Sequence, residues 1–520
     1  MFKARIVASA LFAACLTAIS ASAETLRWGS NRDIVSLDPY SYGDSFTINV
    51  LNNVYEGLVR YNRDLKIEPA LATSWQVMSD TVWRFKLREG VKFHNGDPFT
   101  ADDVIASLTR VSDPASPLKG NLPAYKSAKK IDDHTVDIEL NGAYPLLLND
   151  LTNIHIFSKK WLVENHAEKP TDVGAGVEGY ATTHANGTGP FMLESRQPDA
   201  KTVFVRNPNW WDKPQHDLDR IEFIPIASAA TRVAALLSGE VDFIDDTPVQ
   251  DLPRLEAAPN VKLLQRADIR TIMLGLNRRD TLVGGAKNPF NDLRVRQALQ
   301  DSINLTLLRD RVMRGKSRIA GTMVAPEIPG YSAELDKPAP YDPEEAKKLL
   351  AEAGYPNGFE FSFVCANDRY VNEEQLCQAI ASMWARIGLK PKLDVGPRSV
   401  QTPKFTNGKA DVYTLGWATE PMLDSYSLLL QVLHTKTGNA GVFNWGGWSY
   451  PELDKMIDQA GVMLDREKRL DLQIKALKLA KDQVLMIPLH QQPMVWATTA
   501  DVKEMPQFPD NKPRLWYVRK

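Results

Sequence analysis

The fold is decided by residues 71–110, LATSWQVMSDTVWRFKLREGVKFHNGDPFTADDVIASLTR. Residues 83–88 alternate between apolar and basic side chains, and this period of two predicts a half-buried strand. An Asn-Gly pair at 95–96 predicts a hairpin-type turn. Thr100 followed by Asp103 has the spacing of a capped helix start. The stretch therefore predicts a strand, a turn and a helix in close succession.

The length and composition of the chain limit the classes of protein that it can be. At 520 residues the chain is too long for a single hydrophobic core, so we expect two or more domains. Hydrophobic residues make up 43% and charged residues 24%, as in soluble globular proteins. The formal net charge is −2 and no basic patch is visible, so nothing favours a nucleic-acid-binding protein.

The first 23 residues have the pattern of a signal peptide. Two basic residues precede an apolar run at 6–19, and Ala-Ser-Ala at 21–23 supplies small residues for cleavage after Ala23. The apolar run is too short to span a membrane. A lipoprotein-type site ending at Cys15 is the alternative, but Phe12 fits that pattern poorly. We expect a soluble protein exported to the periplasm.

Two cysteines, Cys365 and Cys377, remain after this predicted cleavage. In an oxidising compartment they are able to form one disulfide between a strand end and the following helix. Two buried thiols are an equal alternative, because the sequence alone does not give the distance between the two side chains.

Further motifs follow in a fixed order: GTGPF at 187–191, NWWD at 209–212 and NPFNDLRVRQA at 288–298. Together with residues 71–110, they resemble the family 5 extracellular solute-binding proteins. These are the receptors that serve ABC importers of oligopeptides, dipeptides, glutathione, opines and nickel. The resemblance covers essentially the whole mature chain.

The resemblance implies a two-lobed α/β fold with an extra domain inserted in the first lobe. By that resemblance, lobe one takes residues 24–270 plus 490–520, and the inserted domain takes about 45–186 within it. Lobe two takes residues 271–489. The chain passes twice between the lobes, and these two crossings form the hinge.

The resemblance also points to residues 411–431, DVYTLGWATEPMLDSYSLLLQ, as a source of ligand-binding side chains. In peptide-binding members, an acid after a strand-end Trp pairs with the α-ammonium of the ligand. The matching residues here are Trp417 and Glu420, and Asp424 is a second candidate. The peptide receptors more typically have Asp in a Gly- and Asp-rich loop, so this chain departs from the family pattern. A Trp that caps the core, with acids that face water, is the structural alternative.

A second anchor is implied by Arg369 and Tyr370, since dipeptide-binding members clamp the ligand carboxylate with an Arg followed closely by a Tyr. A guanidinium offers two parallel donors to a carboxylate. An ion pair on the surface between Arg369 and Asp368, or between Arg369 and another neighbouring acid, is the alternative. From lobe one, Tyr42 and Asp44 are candidate ligand contacts, although such residues also occur as plain loop surface.

Three short motifs imitate those of penicillin-binding serine acyltransferases: SAKK at 127–130, SIN at 302–304 and KTG at 436–438. Each is short enough to occur by chance, and Ser127 is predicted in a loop instead of at a helix start. The eight histidines are scattered without the spacing of metal ligands. We therefore expect no catalysis, no cofactor and no protein-built metal site, with an exported serine acyl-enzyme as a distant alternative.

The expected function is that of a periplasmic receptor that closes its lobes on a small ligand and delivers it to a membrane permease. A dipeptide or short peptide is the expected ligand. An opine, a glutathione-like molecule or a metal chelate is the alternative ligand within the same receptor class. The ABC permease is the expected protein partner, and we expect the receptor itself to be a monomer.

Overall fold

The computed structural model of the protein describes residues 24–520. The predicted signal peptide and its cleavage site lie outside the described residues. Within residues 24–520, no helix is long and apolar enough to cross a membrane.

The elements alternate between strands and helices along the chain, which confirms the α/β class. The strands are β1 (Thr25–Ser30), β2 (Val59–Tyr61), β3 (Ile67–Pro69), β4 (Ala72–Ser79), β5 (Val82–Leu87), β6 (Tyr125–Asp132), β7 (Thr135–Leu140), β8 (Phe191–Gln197), β9 (Lys201–Arg206), β10 (Arg220–Pro225), β11 (Phe243–Ile244), β12 (Val261–Leu276), β13 (Arg318–Ile319), β14 (Glu360–Ala366), β15 (Lys390–Gly396), β16 (Val412–Trp417) and β17 (Met486–Thr499). The α-helices are α1 (Ser45–Leu51), α2 (Ala101–Val111), α3 (Leu147–Leu151), α4 (Lys159–Glu164), α5 (Tyr180–Thr183), α6 (Ala229–Ser238), α7 (Leu252–Glu256), α8 (Leu293–Asp301), α9 (Leu305–Leu307), α10 (Pro343–Glu352), α11 (Glu373–Arg386), α12 (Arg398–Thr406), α13 (Tyr426–Leu428), α14 (Pro451–Val462) and α15 (Arg466–Asp482).

One large mixed sheet runs through the molecule. Its strand order is β15-β14-β16-β12-β17-β11-β1-β10-β9-β8, and β13 pairs with β17. The two long strands β12 and β17 are antiparallel and pair from Val261 opposite Thr499 to Gly275 opposite Met486. Strands β14 to β16 lie on one side of this pair, and β1 with β8 to β11 lies on the other. The chain therefore joins the two halves of the sheet through two central strands.

Residues 71–110 contribute to a separate antiparallel sheet with the order β4-β5-β7-β6. In β5 the apolar side chains are the more buried ones and the basic ones remain partly or fully exposed, as the alternation predicts. Helix α2 follows Thr100, whose backbone N–H donates to Asp103 Oδ2 at 2.7 Å. The predicted strand and helix are confirmed, and at the turn of 95–96 the backbone N–H of Gly96 donates to the carbonyl of Phe93 at 2.8 Å, beside a bridge between Lys92 and Pro98.

A buried ion pair ties α2 to the start of the chain. Arg110 Nη1 and Nη2 donate to the two carboxylate oxygens of Asp38 at 2.7 and 2.5 Å. The two side chains are 1% and 0% exposed. Arg110 Nε donates to the carbonyl of Ala167, and the backbone N–H of Tyr40 donates to Asp38. Every charge of this pair is therefore matched inside the core.

The two cysteines that survive the predicted cleavage form a disulfide in the structure. Cys365 lies near the end of β14 and Cys377 lies in α11, with their Cα atoms 6.6 Å apart. Both residues are fully buried. The bond closes a short loop between the strand and the helix, and this loop contains Arg369 and Tyr370.

Candidate functional site

A cavity of about 310 Å³ lies where the loop after β16 meets the start of α1. Glu420 and Pro421 line it, together with three asparagines, Asn49, Asn121 and Asn153. Lys512, from the carboxyl-terminal segment, completes the wall. None of the described residues that line the cavity is aromatic. The wall combines these polar side chains with apolar ones such as Ile48 and Leu118, and it is built from distant parts of the chain.

Strand β16 brings Glu420 to this cavity because the strand is buried along its length and fixed on both sides. It pairs with β12, where Trp417 lies opposite Thr271, and with β14. Gly416 lies under the ring of Tyr370, and a Cβ at this position would approach the ring to 2.7 Å. Glycine is therefore needed for the close packing at the end of the strand.

Glu420 faces Lys512 across the cavity wall. Lys512 Nζ lies 3.3 Å from Glu420 Oε1, and the side chains are 13% and 19% exposed respectively. The pair does not have hydrogen-bond geometry, and Glu420 Oε1 accepts no hydrogen bond within residues 24–520. Burial raises the pKa of Glu420 above its usual range, and the charge of Lys512 opposes that shift. One oxygen of the Glu420 carboxylate therefore keeps an unused acceptor position in the described structure.

The segment that carries Lys512 is held by side chains on either side of it. Trp496 Nε1 donates to Asn511 Oδ1 at 2.8 Å. Asn53 Nδ2 donates to the carbonyl of Pro513 at 3.2 Å. These contacts fix the backbone around Lys512 against β17 and the end of α1. The position from which the Lys512 side chain extends toward the cavity is therefore fixed.

The predicted carboxylate clamp, Arg369 with Tyr370, does not line the cavity. Arg369 stacks over Tyr370, with its Cζ 4.7 Å from the ring centroid, and lies 5.9 Å from the centroid of Trp445. Its Nη1 is buried without an acceptor among the described residues. The alternative pairing with Asp368 does not occur, since Asp368 Oδ1 accepts the backbone N–H of Arg398 instead.

Tyr370 has a structural contact that the sequence did not indicate. Its hydroxyl accepts the backbone N–H of Gly416 at 2.7 Å. This bond fixes the loop after β14 to the end of β16. The hydroxyl is thus engaged by the backbone, while Arg369 next to it keeps a free donor.

Asp424 belongs to the interior and not to the cavity, which corrects its assignment as a second partner for the ligand. Its carboxylate accepts hydrogen bonds from Arg469 at 2.9 Å and from Gln473 at 2.8 Å. Trp417 also has an internal partner, because its Nε1 donates to Ser427 Oγ at 3.2 Å. The ring of Trp417 packs edge-on against Phe443. Neither Asp424 nor Trp417 lines the cavity.

The candidate residues Tyr42 and Asp44 do not line the cavity themselves, but residues next to them do. Gly43 and Ser45 line it. Asp44 caps α1 by accepting the backbone N–H of Thr47 at 3.0 Å and pairs with Arg32 at 3.3 Å. Tyr42 is half-buried next to Gly43. Asp44 is therefore a helix cap, and its carboxylate is already occupied.

The serine acyl-enzyme alternative has no geometric support in the structure. Ser127 lies in strand β6, not in a loop, and its hydroxyl donates to Glu139 at 2.9 Å. Lys130 pairs with Asp102 at 2.6 Å. The serine and the lysine of the motif therefore have separate partners within residues 24–520, Glu139 for Ser127 and Asp102 for Lys130.

Arg270 is a further cation near the site that sequence reasoning missed. It lies at a register shift in β12, one residue before the Thr271–Trp417 pair. Its side chain makes no hydrogen bond or ion pair with the described residues. Its charge opposes the rise in the pKa of Glu420 that burial causes. No local pattern marks Arg270, because its position depends on the irregular pairing of β12 with β17.

Direct contacts join the loop after β16 to the amino-terminal part of the chain, one residue beyond the cavity-lining Pro421. The hydroxyl of Tyr61 and the side-chain amide of Asn149 both donate to the carbonyl of Met422 at 2.7 Å. These hydrogen bonds tie the loop after β16 to strand β2 and helix α3.

Asp150, next to Asn149, is fully buried, and neither carboxyl oxygen has a partner with hydrogen-bond geometry in the described chain. Burial raises the pKa of Asp150 well above 3.8, and the nearby Tyr144 hydroxyl opposes the shift only in part. Because the folded state holds this proton more tightly than the unfolded chain, stability falls as the pH rises above the unfolded pKa.

We therefore expect Asp150→Asn to increase the free energy of unfolding at pH 7 by about 1–3 kcal/mol. The gain should vanish at a pH below the unfolded pKa, where the wild-type carboxyl is protonated in both states. Urea unfolding at both pH values measures the difference. A loss of stability at pH 7, or the same gain at both pH values, would contradict the prediction.

Comparison with known proteins places the whole chain in one family. Residues 66–440 match the model described as bacterial extracellular solute-binding proteins, family 5 Middle. The chain is 31% identical over 464 residues to heme-binding protein A of Haemophilus influenzae, covering 84% of this chain and 81% of that protein. It is 28% identical over 525 residues to glutathione-binding protein GsiB of Escherichia coli, covering 97% and 95%.

The fold matches a solved receptor. The periplasmic binding protein DppA of Helicobacter pylori, solved in complex with the peptide STSA, superposes with a TM-score of 0.76. It is 26% identical, and the match covers 95% of this chain and 97% of that one. The architecture is thus the two-lobed α/β fold of periplasmic binding proteins. The chain belongs to the bacterial extracellular solute-binding proteins of family 5 and is a solute-binding receptor of an ABC import system.

Proposed function

We propose that this receptor takes a dipeptide or another short zwitterionic peptide in the cavity beside Glu420. The observation that carries the proposal is a buried carboxylate oxygen, free of hydrogen bonds, in the wall of a small cavity with several polar side chains. The volume of about 310 Å³ lies at the lower end of the range for small-molecule sites, about 300–1,000 Å³, which favours a small ligand.

The chemistry of the wall suits a peptide. Glu420 is the proposed partner of the α-ammonium. The side chains of Asn49, Asn121 and Asn153 each offer both a carbonyl and an NH₂ group, which match the N–H and C=O of a peptide bond. Arg369, with its free donor, is the proposed partner for a carboxylate that extends beyond the cavity.

The proposed domain organisation follows from the central strands. Residues 24–270 and 490–520 make lobe one, with residues 45–186 as its inserted domain, and residues 271–489 make lobe two. β12 and β17 are then the two crossings, and closure brings the Met422 contacts together. Only the closed state presents both lobes to the permease in a fixed relation.

A glutathione-like peptide is a second candidate ligand, favoured by Arg270 and Arg369. Neither guanidinium has an ion pair among the described residues. A peptide with an additional carboxylate would supply one. The chain is also similar along nearly its whole length to a protein named for glutathione binding.

A thermal-shift screen of the purified mature protein tests the proposal. The panel contains dipeptides, tripeptides, glutathione, opines, nickel–histidine chelates and heme. A ligand present at 100 times its Kd stabilises the folded state by about 2.7 kcal/mol, so short peptides should raise the melting temperature clearly. If only non-peptide ligands raise it, the peptide assignment is wrong while the receptor class remains.

A further inference from the structure

We propose that Lys512 binds the carboxylate of the ligand, so that a zwitterion enters between Glu420 and Lys512 and separates the pair. This inference rests on the proposed peptide function and adds the specificity-determining residue for it. Lys512 lies in the cavity wall, whereas Arg369 does not. The carboxylate of a peptide that fits within the cavity therefore meets Lys512 first.

The geometry of the pair leaves room for such an exchange. Lys512 Nζ and Glu420 Oε1 are 3.3 Å apart without forming a hydrogen bond. The ammonium of a lysine carries three donors, and Lys512 directs none of them to another acceptor among the described residues. The contact is therefore an ion pair with unused hydrogen-bonding capacity on both partners.

The two charges come from different parts of the molecule. Glu420 follows β16, in the half of the sheet that contains β14 to β16. Lys512 belongs to the carboxyl-terminal segment, which Asn53 and Trp496 hold against the other half. A ligand bound between the two charges thus contacts both halves of the molecule at once. The charges at its two ends determine whether Glu420 and Lys512 each keep a counter-ion.

The charge requirement on the ligand follows from burial. A ligand with an ammonium alone would take Glu420 and leave Lys512, whose side chain is only 13% exposed, without a counter-ion. A ligand with a carboxylate alone would leave Glu420 in the same position. Removing one partner of a buried pair is strongly unfavourable. A ligand that carries both charges replaces one ion pair by two, so the site selects zwitterions.

Calorimetric titration of the full mature protein with alanyl-alanine and its carboxyl-terminal amide tests this inference. The wild type should prefer the free acid by about tenfold or more, since a buried charge is otherwise left unpaired. Lys512→Met should reduce the ratio of the two Kd values to near one, and Lys512→Arg should retain the preference. The exposed Lys455→Met is the matched control that should also retain it, whereas Arg369→Gln tests the competing partner for the carboxylate.

The outcomes separate this inference from the function on which it rests. If the dipeptide binds but Lys512→Met keeps the full preference, or Arg369→Gln removes it, the assignment of Lys512 is wrong and the peptide receptor stands. If neither the acid nor the amide binds the wild type, both the peptide function and this inference fail. The melting temperature of each unliganded variant shows that an altered ratio does not come from misfolding.

Discussion

Replacing Glu420 by glutamine is expected to weaken binding of a dipeptide by about 100-fold or more. The change replaces the carboxylate that faces the ligand ammonium by a neutral amide, so the bound ammonium loses its counter-ion. Breaking a buried ion pair by removing one member costs about 3–5 kcal/mol, and each 1.4 kcal/mol corresponds to about tenfold in Kd. Calorimetric titration at pH 7 measures the effect directly.

The control for Glu420→Gln is Glu467→Gln, because the Glu467 side chain is 86% exposed and should leave Kd unchanged. The pH dependence gives a second readout. An ammonium requires the ionised carboxylate, and burial raises the pKa of Glu420, so wild-type affinity should fall as the pH is lowered through that pKa. The Gln variant should lack this part of the pH dependence. A variant that binds as tightly as the wild type would refute the role of Glu420.

Replacing Asp38 by asparagine should lower the free energy of unfolding by about 3–5 kcal/mol, the cost typical of a buried pair that loses one member. The guanidinium of Arg110 would remain in the core with an amide in place of its counter-ion. The position is fully buried, so water does not replace the lost charge. Urea unfolding compared with the wild type gives the difference.

Two further variants test whether the lower free energy of unfolding of Asp38→Asn comes from the unpaired charge of Arg110. Asp133→Asn breaks a surface pair in which Asp133 is 69% exposed, and it should change stability by about 0.5 kcal/mol or less. The double variant with Asp38→Asn and Arg110→Met should lose less than the sum of the two single variants, because no unpaired charge remains. An additive double variant would show that the pair itself contributes little.

The parts of the fold that sequence predicted are those where local pattern and tertiary structure agree. The alternation in β5 and the Thr100–Asp103 cap depend only on neighbouring residues, and both occur as predicted. The family motifs made it possible to predict the fold of the whole chain, since they mark turns and helix ends in a fixed order. Glu420 reaches the cavity because it follows directly from a buried strand.

The remaining site residues depend on contacts between distant segments. Asp424 resembles a ligand partner in sequence, yet Arg469 from α15 reaches it and neutralises it in the interior. Nothing near Asp424 signals that contact. Lys512 has no periodic or motif signal, and it reaches the cavity only because Asn53 and Trp496 hold its segment. Pairings across such long sequence separations leave no local trace.

The central position of β17 has a consequence for how the chain folds. β17 lies between β11 and β12, although it comes from residues 486–499, late in the sequence. Until that segment arrives, each half of the large sheet has an unpaired strand edge, and such edges are prone to join with other chains. Pairing over long separations is slow. Because the chain is synthesised from its amino terminus, the sheet is completed only after β17 has been made. Until then, the exposed edges of β11 and β12 must be kept from pairing with other chains if the receptor is to fold.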